Sequence, residues 1–237
     1  MDLKQGLAAH AGPAAARADD RSSGCGDLDF RRLLHELTEH TPASLHRHSV
    51  LALAAGQPGA HIRVLDGSFS LPQPLFNCVM YALDLVGRFE PQLQRLQGLE
   101  FRFLADTAFL QRALERRLLR DELSPLTAMP GDLVLYFDQP APGQAGPARP
   151  RHVGKYLGPN RVASKWGPGE LYVHGLWDLP LSLGRRVRYF AAPEHDAVLD
   201  FVGTALPQVR LRPALPAGAA APAQPRQPQQ QAATALH

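Results

Sequence analysis

The apolar residues Phe30, Leu33, Leu34 and Leu37 are spaced i, i+3, i+4, i+7 and predict an amphipathic helix over 29–40, with Asp29 as its cap. A second helix is expected from about Asn77 to Val86, where a proline-rich loop gives way to CVMYALDLV and Gly87 ends the run. The stretch ADTAFLQRALERRLLRDEL predicts a third, with Asp106 as N-cap and Leu110, Leu114 and Leu118 spaced by four. Its arginines fall on the far side and read as a solvated face, not a phosphate site.

After Pro125 the period changes from helical to short β-branched and aromatic runs between Gly/Pro turns: GDLVLYF, HVGKYLG, RVASKWG, LYVHGLW and RVRYFAA. These predict antiparallel strands, with QPAPGQAGPARP as a surface loop after the first and Trp177 and Asp178 of GLWDLP in a turn. Tyr136, Phe137, Tyr156, Trp166, Tyr189 and Phe190 fall at strand positions and read as sheet core. Helices first and strands afterwards make an α+β domain over 27–203, in which helices cover one face of a β-meander. Residues 1–26 and the Pro/Ala/Gln tract of 204–237 have too little periodic apolar character to offset chain entropy, and are expected to be disordered tails.

Composition narrows the function classes. With 237 residues, 45% of them hydrophobic, the chain can bury one ordinary core. Its net charge of +3, from 25 basic and 22 acidic residues, is dispersed along the chain, so neither a nucleic-acid nor a membrane partner is expected. The N-terminus lacks the apolar core of a secretory signal, and no apolar run is long enough to cross a bilayer. The expected compartment is the cytoplasm, with unconventional export as the alternative. Cys25 and Cys78 form no cysteine framework and read as free thiols. His40, His46, His48 and His61 lack an accompanying Cys-x-x-Cys, and the HRH run reads as an exposed basic loop, so no metal or other cofactor is expected.

Cys78 directly follows the expected cap Asn77, in the first turn of a helix, where free N–H groups favour a negative sulfur and can serve an oxyanion. His152 opens a strand beside the proline-rich loop, and Gly154, two residues on, would leave room next to its ring. A thiol nucleophile needs such a base nearby in space. If Gly158, Pro159 and Asn160 form a three-residue hairpin loop, His152 lies opposite Trp166 and Ser164 shares its face; a two-residue loop would place Lys165 there instead. Tyr81, one turn after Cys78, either reaches the site or packs.

Asn77-Cys78, then Pro130-Gly131-Asp132-Leu133-Val134, then His152-Val153-Gly154-Lys155-Tyr156-Leu157-Gly158 occur in an order that resembles the NlpC-type peptidases and amidases of the papain-like superfamily. The likeness runs from about Leu75 to Trp166. It implies a papain-like fold and a cysteine hydrolase acting on a peptide or other amide-containing substrate, with Cys78 attacking and His152 moving the proton. The position matching the third catalytic residue is Ser164, where that family has histidine, asparagine or an acid, and His174 in the next strand is the other candidate to orient the ring. Asn77 also departs from the aspartate usual before the cysteine of cell-wall enzymes, which bears on the substrate. The alternatives are an acyltransferase using the same thioester, or an inactive binding module that keeps the fold.

Overall fold

The computed structural model describes residues 27–66, 76–86, 106–138 and 148–205, so Cys25, most of the two proline-rich loops and the expected tails lie outside the described residues, except that 204 and 205, read as tail, end a helix that begins at His195. Helix α1 spans Leu28–His40 and is capped by Asp27, whose carboxylate accepts from the N–H groups of Asp29 and Phe30. The expected cap, Asp29, instead lies in the first turn, where its charge suits the helix dipole. Phe30 and Leu34 are buried as predicted, but Leu33 is exposed and Arg31 takes a buried place beside them. The Arg31 guanidinium donates to the carbonyls of Leu179 (3.2 Å from Nε) and Gly184, tying α1 to the loop before the last strand.

Residues 43–55, read above as including an exposed HRH loop, form helix α2 (Ala43–Ala55). His46 is buried, with Nε2 2.8 Å from the Thr41 carbonyl, and only His48 of the pair is exposed. Helix α3 is a short turn, Cys78–Ala82, capped as predicted by Asn77, whose Oδ1 accepts from Met80 N–H at 3.0 Å. It ends four residues before Val86 because Asp84 adopts a left-handed backbone (φ 55°). Helix α4, Thr107–Glu115, has Asp106 as its cap and is likewise shorter than predicted, with Arg117 at φ 59° just beyond its end.

The five predicted strands are β3 (Leu133–Phe137), β4 (Pro150–Gly158), β5 (Arg161–Lys165), β6 (Leu171–His174) and β7 (Arg186–Phe190). Two-residue strands β1 (Arg63–Val64) and β2 (Glu122–Leu123) edge the sheet, and helix α5 (His195–Ala205) closes the described chain. The order is β1-β6-β5-β4-β3-β7-β2, all antiparallel. Strands β3 to β6 form a meander, while β7 crosses back to pair with the other edge of β3.

Helices cover both faces, which corrects the expectation of one. Leu133, Leu135, Phe137 and Val153 pack with α3, α4 and α5. Val134, Tyr136, Tyr156, Trp166 and Tyr172 pack with Phe30 and Leu34 of α1 and Val50 and Ala54 of α2. The cause is visible in LVLYF, which does not alternate: a strand apolar at every position needs cover on both sides.

Candidate active site

The β4–β5 hairpin sets the geometry of the site. Its loop is two residues, Pro159 and Asn160, between the paired Gly158 and Arg161, but an irregularity follows and the strands continue as Tyr156↔Val162 and Lys155↔Ala163. The extra residue restores the register expected of a three-residue loop. Ser164 therefore falls on the His152 face and Lys165 on the opposite one, toward α3.

His152 points to the α1–α2 side. It is 1% exposed, its ring lies 5.7 Å from that of Tyr136, and its Nε2 is buried with no hydrogen-bond partner. Ser164 and His174 lie on the same face and bond to each other, Oγ to Nε2 at 2.7 Å. His174 Nδ1 is 2.7 Å from the Gly175 carbonyl, which can only accept, so Nδ1 carries the proton and the serine hydroxyl donates to Nε2. Trp166 Nε1 donates to the same Oγ at 3.1 Å. Ser164 and His174 are thus engaged with one another, and neither is hydrogen-bonded to His152 Nε2.

Cys78 approaches from the other side, packed against the α3–α4–α5 core. Tyr156 exchanges backbone bonds with Gly131 and Asp132 ahead of β3, so by alternation the N–H of Val153 points toward β5. Paired positions between β4 and β5 end at Lys155 and Ala163, and the N–H of Val153 faces the Cys78 sulfur there. The thiol therefore meets the backbone of the residue directly after His152. No hydrogen bond joins Cys78 to His152 Nε2.

Burial pushes the Cys78 thiol above its usual pKa of 9.0. The N–H groups of Val153, Val79 and Cys78 and the charge of Lys165 oppose this and lose. The expected lowering by the helix start is thereby outweighed, since a five-residue helix at a dry position offers less than desolvation removes. Burial also holds His152 down at about 3, with His174 adding to it, and His174 down at about 4, with the Gly175 carbonyl opposing and Arg31 assisting. The resting site holds a neutral thiol and neutral imidazoles.

The space expected beside Gly154 is filled by β5: a Cβ there would lie 2.6 Å from Val162 Cγ1 and 2.8 Å from the Ala163 carbonyl oxygen. Tyr81 packs against the Cys78 core, with Lys155 Nζ 5.4 Å from its ring centroid. Lys165, considered above only as the residue that a two-residue loop would set on the His152 face, lies instead on the opposite face with Nζ 5.3 Å from the Phe76 ring centroid, and its charge has a minor effect on the Cys78 thiol; strand alternation carried from the bulged hairpin is the signal that finds its face. Among the described residues no group of three or more His, Cys, Asp or Glu side chains is arranged to hold a metal ion, and no helix is long and apolar enough to cross a membrane. Compared with known protein families, curated proteins and solved structures, the chain matches none.

Proposed function

We propose that the chain is a cysteine hydrolase of amide bonds, of the papain-like, NlpC type, with Cys78 as nucleophile and His152 as general base and then acid. The observation that supports this reading is the approach of the Cys78 thiol to the N–H of Val153, the residue directly after His152, with the imidazole itself on the opposite face of that strand. Sγ attacks the carbonyl carbon while its proton passes to the imidazole, and the imidazolium returns that proton to the departing amine. Water, deprotonated by the same imidazole, then hydrolyses the thioester. A thiol and an imidazole that are both neutral at rest fit proton removal during attack better than a preformed ion pair. The Val153 and Cys78 N–H groups face the sulfur and would support negative charge that forms there during attack. Ser164 and His174 orient His152 only through the packing of that face, because their hydrogen bonds serve each other.

The test is acylation by p-nitrophenyl acetate. Stoichiometric release of p-nitrophenolate with acetyl on Cys78, abolished by Cys78→Ala and slowed at least a hundredfold by His152→Ala, is the expected result. Acetylation of Cys78 no faster than in the urea-unfolded chain, and indifferent to His152→Ala, overturns it.

A second reading, an inactive binding module of the same fold, is favoured by the closed Ser164–His174–Trp166 network and the depressed histidines. Under that reading His152 serves the core, and His152→Ala lowers stability without altering the reaction of Cys78.

A further inference from the structure

Strand β1 and the β4–β5 turn bring cationic side chains to one cleft. Arg63 of β1 pairs with Val173 of β6, Val173 pairs with Ala163 of β5, and Arg161 stands two residues from Ala163 along β5. Side chains alternate along a strand, so Arg63, Val173 and Arg161 share one face of the sheet. Two strand spacings across and two residues along put the arginine Cα atoms about 12 Å apart, a span that two such side chains can close from either end. They line a cleft of about 630 Å³, the size of a small-molecule site, together with His61, Asn160 and the apolar Ile62 and Val173.

The charge of this cleft is unbalanced. Among the described residues no carboxylate lines it, and neither guanidinium makes an ion pair or a hydrogen bond. Asp178 approaches its rim, where Oδ2 accepts from the backbone N–H of His61 at 2.9 Å. Asn160 gives its Oδ1 to the Leu176 N–H at 3.0 Å, which leaves its amide NH2 to donate. His174 reaches the same cleft with both ring nitrogens already engaged. A second cleft of about 720 Å³, toward the β2 edge, is different: Glu115, Asp121 and Glu122 stand there among Arg117, Arg120 and Arg188, and Glu122 holds Arg188 at 2.7 Å. In that cleft acids match the arginines.

We propose that the cleft between Arg63 and Arg161 binds a phosphomonoester of a small organic molecule. Guanidinium groups bind phosphate oxygens through paired N–H donors, and two of them match the charge of about −1.5 to −2 that a monoester carries at neutral pH, whereas a single carboxylate needs one. The Asn160 amide adds an uncharged donor, and Ile62 and Val173 give the organic part an apolar surface. Binding here requires nothing of Cys78.

Isothermal titration calorimetry of the full chain with phenyl phosphate tests the site. Saturable binding at one site with Kd below about 1 mM is expected, weakened by added salt. Arg63→Gln and Arg161→Gln should each weaken it about tenfold, the loss of one charge-assisted contact. Both arginines are exposed, so both variants are expected to fold, which thermal unfolding checks. Arg188→Gln, in the acid-matched cleft, leaves the affinity unchanged. Inorganic phosphate should bind more weakly than phenyl phosphate because it lacks the apolar part, and benzoate about tenfold more weakly because it carries one charge. No saturable binding up to about 10 mM phenyl phosphate, or binding that neither Arg63→Gln nor Arg161→Gln weakens, overturns the site. Benzoate binding as tightly as phenyl phosphate overturns the phosphomonoester and puts a carboxylate in its place.

Discussion

At the scale of single residues, opposing terms meet at Cys78, and the larger decides the resting state. Three N–H groups and an ammonium favour thiolate, yet burial keeps the thiol protonated. Its chemistry therefore depends on a base acting during attack, or on a substrate that changes the surroundings. Gly154 is held by sterics: Gly154→Ala would drive a methyl into the backbone and side chains of β5, and a loss of about 1–3 kcal/mol is expected in urea unfolding. Ser164→Ala would leave His174 Nε2 and Trp166 Nε1 buried without their common partner. It should cost about 1–3 kcal/mol in the same measurement while leaving the alkylation rate of Cys78 unaltered, because the hydroxyl faces away from the thiol. A Cys78 rate that fell with Ser164→Ala would show that the two faces are coupled.

Among the elements, α3 is the most vulnerable. Five residues cannot sustain a helix alone, so the turn relies on the Asn77 cap and on Val79, Met80 and Ala82 packing under it. Asn77→Ala should cost about 1 kcal/mol by thermal unfolding. Asn77→Asp keeps the acceptor but adds a negative charge beside the sulfur. It should retain stability while moving Cys78 alkylation to higher pH, and an unchanged alkylation profile would show that the cap lies too far from the thiol to act on it. The β4–β5 hairpin is the other element on which the site depends. One extra residue on β4, Leu157, just before the two-residue turn exchanges the faces of Ser164 and Lys165, so the local backbone around Gly158 (φ 129°) and Asn160 (φ 53°) decides which of them joins the cysteine's side of the sheet.

For the whole molecule, a sheet covered on both sides buries two imidazoles that titrate far below their ordinary 6.5. Since both are neutral when folded and free to protonate when unfolded, the unfolded chain binds more protons as pH falls below about 6.5. Their contribution is complete above that value and is lost progressively toward about 4 and then 3, at roughly 1.4 kcal/mol per pH unit for each proton. The melting temperature is expected to drop steeply between pH 6 and 4, with uptake of nearly two protons on unfolding by calorimetry at pH 5. His152→Gln should bring that uptake toward one. An uptake indifferent to His152 would mean that the imidazole is already protonated in the fold.

The order of letters by itself determined a good deal: the caps at Asn77 and Asp106, the five main strands and their aromatic core positions, while it left the register of the β4–β5 hairpin open between two loop lengths. These follow from local rules of period, capping and turn chemistry, which act within a few residues and leave their mark on the chain. Local reading was misled where a feature had two explanations. Asp29 and Asp27 both suit a cap, Leu33 continues a helical stripe that Arg31 in fact completes, and HRH reads as loop until α2 is packed on the sheet. The second helical layer was present in the unbroken apolar run of LVLYF, but its partners α2 and α5 lie far off in the chain. Only the tertiary structure decided the direction of the Cys78 and His152 shifts, the pairing of Ser164 with His174, and the placement of Lys165 on the cysteine's side of the sheet. Each depends on desolvation and on which face of the sheet a residue joins, and both are properties of distant segments brought together.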